Sequence, residues 1–161
     1  MKCINIFIFL SLLQHPGLRH GAFSNSLEEW AEGALTLEWI ENKRIMSKEE
    51  MKVVSSHEYI GALSDFTGEI GRFAVASASK RELEDVRSIL QADVAVAGSF
   101  MLLNTSGKYT QKANAVMTNM KKIEDIVYEL SMLQRGGRAG RSSTRETQPK
   151  EEKEGNEKTD N

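Results

Sequence analysis

Apolar side chains at Tyr109, Ala113, Val116, Met120, Ile123, Val127 and Leu130 recur at alternating steps of four and three. Only a helix brings residues at that spacing onto one side, so this segment is predicted to be helical, with its stripe turned toward other helices. Three readings of the stripe stay open: plain core, a coiled-coil seam, or a subunit interface. Two prolines in 161 residues argue for helices and against a turn-rich β fold.

The rest of the chain is punctuated in the same way. Ser24-Asn25-Ser26 offers N-caps for a first long helix from Leu27 to about Arg44. Ser47-Lys48-Glu49-Glu50 has the capping-box pattern and predicts a short helix to about Val54. Ser55-Ser56-His57-Glu58 repeats the pattern and opens a helix to about Ala78. A third box, Ser79-Lys80-Arg81-Glu82, predicts a helix to about Leu103, with Leu83, Val86, Leu90, Val94, Ala97 and Met101 as its apolar face. Asn104-Thr105-Ser106-Gly107 then breaks the chain before the last helix. The expectation is an all-α, antiparallel helical bundle over residues 19–134.

Both ends differ from that middle. Residues 135–161 contain no Leu, Ile, Val, Phe, Trp or Tyr and predict a disordered tail, Gly/Arg-rich and then Lys/Glu-rich. Residues 1–18 form an apolar segment. Met1-Lys2 followed by Ile4 to Leu13 has the form of a signal peptide and is too short to span a membrane, yet it lacks a small-x-small cleavage pattern after it. A targeting signal and a plain N-terminal helix or mispredicted start both remain readings of it.

Charge and cysteine content narrow the chemistry. The formal net charge of −2 supplies no global attraction to nucleic acid, so RNA binding would need local basic patches or a bridging metal. Cys3 is the only cysteine, which leaves no intramolecular disulfide and no Cys/His metal cluster to consider. His15, His20 and His57 have no partner at ligand spacing, and Gly107-Lys108 is not a phosphate loop. Trp30 and Trp39 fall within apolar patterns and read as core.

Two acidic pairs stand out. Glu29 and Glu32 are spaced i,i+3, and Asp65 and Glu69 i,i+4, so each pair shares one helix face with Cβ atoms about 5–6 Å apart. Four convergent carboxylates suit magnesium, a hard cation that prefers oxygen ligands and keeps several waters. Acids facing a bundle interior raise each other's pKa unless a cation neutralises them. The plain alternative is a pair of solvated faces. Ala62, Leu63, Phe66, Ile70 and Phe73 flank one pair, and Leu27, Trp30, Ala34 and Leu35 the other, so part of each acidic face is expected to turn inward. Arg72, one turn beyond Glu69, is expected to pair with it.

The run from Glu58 to Arg72 resembles the helix of the translin family that carries D-x-T-G-E-x-x-R in its TRAX branch. Leu27-Glu28-Glu29-Trp30-Ala31-Glu32-Gly33-Ala34 resembles the preceding L-Q-E-Y-x-E-A-x helix. Phe100-Met101-Leu102-Leu103-Asn104, with Lys121 to Ser131, is similar to the F-x-L-L-N and K-K-V-E-E-V-V-Y-D-L-S segments. The three blocks occur in order, over roughly Arg19 to Arg135. The resemblance implies a Mg²⁺-dependent endoribonuclease subunit acting on single-stranded RNA. Glu29, Glu32, Asp65 and Glu69 would be its catalytic set, with Glu32 and Glu69 as direct metal ligands. It further implies binding of single-stranded RNA or DNA, assembly with translin-like subunits into a homo- or hetero-oligomer, and residence in cytoplasm and nucleus without membrane association. If residues 1–13 are a true signal, the secretory pathway replaces that location. The competing expectation is a non-catalytic translin-like subunit that binds nucleic acid and builds the shell. Phe66 departs from the family's usual leucine, the last helix reads more like translin than TRAX, and the family's helices upstream of the Glu29 helix have no evident counterpart.

Overall fold

The computed structural model of the chain describes Gly17, residues 21–103 and residues 107–142. These hold four long helices and no strand: α1 (Ala22–Asn42), α2 (Ser56–Ser79), α3 (Leu83–Leu102) and α4 (Lys108–Ser142). The signal-like residues and the chain beyond Ser142 lie outside the described residues. No described helix is long and apolar enough to cross a membrane.

Helix α2 is the centre of the fold. It packs against α1, α3 and α4, whereas backbone packing joins α1 to α2 and to no other helix among the described residues. Short connections make α3 antiparallel to both α2 and α4, so α2 and α4 run in the same direction. Contacts confirm it, since Ser64 meets Lys112 and Thr67 meets Asn119 further along both helices. Phe66, Ile70 and Ala74 on α2, Leu27, Leu35 and Trp39 on α1, Val86 and Phe100 on α3, and Val116 and Ile123 on α4 are all buried. Trp39 meets Phe66 edge to face, with ring centroids 6.4 Å apart.

The capping box predicted at Ser55 forms in full. Its hydroxyl accepts from the Glu58 amide at 3.3 Å, and its own amide donates to Glu58 Oε2 at 2.6 Å. Glu58 is buried, and its other oxygen accepts from Ser24 Oγ at 2.8 Å, so the cap of α2 also tethers the start of α1. Ser24 is therefore no N-cap. Helix α1 begins earlier than predicted, at Ala22 behind Gly21 (φ 69°).

The other two boxes do not start helices. Ser47 and Glu50 exchange the same pair of bonds, but residues 48–50 form only turns, because Arg44 grips Glu50 and Glu38 while Met51, Val53 and Val54 turn into the core. Ser79 ends α2 instead of capping α3. The Glu82 amide donates to Ser77 O and the Arg81 amide to Ala78 O, a Schellman closure with Arg81 in the left-handed region at φ 62°. Those residues are used to finish one helix, and α3 starts at Leu83.

Two apolar stripes also need correction or refinement. On α3 the buried face is Leu83, Val86, Ile89, Ala92, Asp93, Val96, Ala97 and Phe100, while Val94 and Met101 are exposed. An apolar-only search steps over Asp93 and drifts off the face. On α4, Val116, Ile123 and Leu130 are buried, and Tyr109, Ala113, Met120 and Val127 are half-buried. The helix continues past Arg135 to Ser142, into the segment expected to be tail.

Candidate carboxylate site

The two acidic pairs come from neighbouring helices, Glu29 and Glu32 from α1 and Asp65 and Glu69 from α2. Glu32 reports on how the two faces meet. Its pKa is raised, first by burial and then by the negative charges of Asp65, Glu29 and Glu69, with Lys112 opposing. Both acidic faces therefore act on one region. Glu32 has neither a hydrogen bond nor an ion pair among the described residues, whereas Glu69 is bridged to Arg72 at 2.6 Å, as the spacing predicted. Glu29 and Asp65 are exposed, and Glu32 and Glu69 half-buried.

A fifth carboxylate and a cation complete the cluster, and neither is derivable from the spacing argument. Lys112 Nζ lies 2.7 Å from Asp65 Oδ2 and 2.7 Å from Glu28 Oε1, and donates to the Gly61 carbonyl at 3.3 Å. Burial pulls the Lys112 pKa down, but hydrogen bonds to Asp65 and Glu28 more than offset this and leave it raised. The bare backbone at Gly61 makes room for this arrangement: a Cβ there would overlap the Glu28 carboxylate and push its flexible end aside. Glu28 stands where the resembling L-Q-E-Y-x-E-A-x pattern has glutamine, so the resemblance gave no signal for it, and a lysine on α4 that pairs with acids on α1 and α2 leaves no trace in local spacing.

The donor set has the right chemistry for magnesium, since all the candidate ligands are carboxylate oxygens and Glu32 lacks a cation of its own. Among the described residues, however, no three His, Cys, Asp or Glu side chains lie close enough together to hold a metal ion. The acids share one electrostatic region without forming a ready-made chelate, so ion binding here would draw on bridging waters or side-chain rotation.

Beside Glu69 a groove of about 340 Å³ runs between α2 and α4. Gly68 and Gly71 open it, Arg72, Asn119 and Lys122 supply polar groups, and Ile123 lies in its lining.

The crystal structure of apo-NeC3PO shares the fold, with a TM-score of 0.70 at 19% sequence identity over 80% of this chain and 70% of that one. No curated protein matches the chain. The translin family profile matches residues 10–134, most of the chain and all of α1, α2 and α3, and the protein belongs to the translin family.

Proposed function

We propose that this chain is a nucleic-acid-binding subunit of a translin-type assembly and that it carries a TRAX-like, Mg²⁺-dependent endoribonuclease site for single-stranded RNA. The observation that supports the catalytic half is the raised pKa of Glu32, which puts Glu29, Asp65 and Glu69 within electrostatic reach of one carboxyl group on a neighbouring helix. Family membership and the fold shared with NeC3PO support the assembly half.

In this reading Glu32 and Glu69 hold the ion, and Glu29 and Asp65 orient water and complete the negative pocket. Magnesium, when bound, supplies an activated water and neutralises charge on the phosphate. The protein's own part is positional. Arg72 and Lys122 line the groove next to Glu69, where cations over an apolar floor suit the phosphates and bases of a single strand.

The second reading is a non-catalytic subunit in which the acids are structural. It draws support from Lys112, which already pairs with Asp65. Single-turnover cleavage of a fluorescent single-stranded RNA, with Mg²⁺ or with EDTA, separates the two. Metal-dependent cleavage lost in Glu32→Gln and Glu69→Gln supports the enzyme; RNA binding without cleavage in the wild type leaves the assembly subunit.

A further inference from the structure

The acidic pocket contains its own cation. Lys112 stands on α4, a different helix from either acidic pair, yet its ammonium reaches Glu28 on α1, Asp65 on α2 and the Gly61 carbonyl, giving each of its three protons an acceptor. The position is locally imposed. Ser64 Oγ donates to the Lys112 carbonyl oxygen at 3.2 Å, which ties this turn of α4 to α2, and the bare backbone at Gly61 leaves room for the Glu28 carboxylate. With its side chain only 23% exposed, Lys112 is held in the cluster and is not a solvated surface lysine.

We propose that Lys112 is a built-in counter-cation of the carboxylate pocket, keeping it folded without metal and competing with a divalent ion for it. The proposal rests on the metal-site reading above. Glu28, Glu29, Glu32, Asp65 and Glu69 would repel one another at neutral pH, and the lysine offsets that repulsion at the Asp65 and Glu28 end. Arg72 does so for Glu69 from the outer side. Glu29 and Glu32 are left without an ion pair among the described residues, so an incoming ion binds at the Glu32 end or displaces the ammonium from Asp65. Either way the ammonium's charge works against the ion. A methionine at position 112 keeps the stem and removes the charge, which makes the pocket both less stable empty and more attractive to metal.

The test tracks Mn²⁺ binding by the loss of free-ion EPR signal, together with thermal melts in EDTA and in MnCl2. Lys112→Met is expected to bind Mn²⁺ roughly ten- to a hundredfold more tightly than wild type, from one unit charge removed at short range. Its melting temperature should fall in EDTA and recover in MnCl2 but not in NaCl of equal ionic strength. If it is unfolded in EDTA, refolding by Mn²⁺ alone is the same result. The double variant Glu28→Gln, Lys112→Met has the net pocket charge of wild type and should return to near wild-type affinity. Equal Mn²⁺ affinity in wild type and Lys112→Met, or a variant that Mn²⁺ does not stabilise, overturns the role of Lys112 alone. No binding to either protein overturns the metal reading and this role with it.

Discussion

The side-chain amide of Asn119 on α4 donates to Thr67 Oγ1 on α2 at 3.0 Å, and Thr67 in turn donates to the Ser64 carbonyl at 2.7 Å. Thr67 is fully buried, so this relay satisfies a hydroxyl that water does not reach. Asn119→Leu removes one partner and leaves the hydroxyl with a reduced set of bonds. The expected loss is about 1–3 kcal/mol of unfolding free energy, read by urea denaturation. Thr67→Val in the Asn119→Leu background should cost little more, because both polar ends are then gone.

Asp93 carries a second prediction. Its side chain is fully buried on the core face of α3, neither oxygen has a hydrogen-bond partner among the described residues, and burial raises its pKa from 3.8 to about 7. The folded state thus holds a proton that the unfolded chain releases near pH 4. Stability tied to this group is fully present below that pH, declines as pH rises, and is lost above about 7. The loss is at most roughly 4 kcal/mol. Asp93→Leu should flatten this limb and unfold at higher urea than wild type at pH 8. A wild-type protein equally stable at pH 5 and pH 8 would remove Asp93 from this account.

Much of this fold was legible in the sequence, and the parts that were not share a cause. Ser55 and Glu58 were read correctly because a capping box is complete within four residues and a helix begins directly behind it. Ser47 and Glu50 make the same bonds, but Arg44 and the buried Met51 set the path of the chain beyond them, and these are tertiary facts. Ser79 looked like a start because the Schellman closure that uses Ser77 and Ala78 depends on Arg81 adopting a left-handed backbone, which a glycine would have advertised and an arginine does not. The acidic pairs were visible from spacing. Lys112 was not, since a charge from α4 enters the site only after α3 has brought the chain back alongside α2.

Gly61 separates two effects that a single measurement would blur. Alanine at this position gains about 0.5–1 kcal/mol of helix propensity. It also displaces the flexible end of Glu28 from Lys112, a partly exposed ion pair worth about 0–1 kcal/mol. Gly61→Ala should therefore be close to neutral in wild type. In a Glu28→Ala background, where no carboxylate is left to displace, it should stabilise. Equal effects in both backgrounds would count against the packing of Glu28 on Gly61.

Glu32→Gln tests the electrostatic strain of the metal-free pocket. Because burial and then Asp65, Glu29 and Glu69 raise the Glu32 pKa, its ionisation destabilises the fold as pH rises above the ordinary carboxylate range. Glutamine keeps the volume without the charge. In EDTA at pH 7 the variant should melt above wild type, with the difference vanishing toward pH 4, where Glu32 is protonated in both states.

The backbone packing of α1 against α2 alone, with Lys112 of α4 reaching it only by a side chain, sets when the acidic pocket exists. Glu28, Glu29 and Glu32 belong to a single outer helix, and Asp65 and Glu69 to α2, which also packs against α3 and α4. Partial opening that releases α1 would dismantle the cluster while α2, α3 and α4 stay folded. Amide exchange in α1 should then run ahead of exchange in the other helices, and whatever ligand spans the acids will slow α1 selectively, making that helix the clasp by which occupancy is felt.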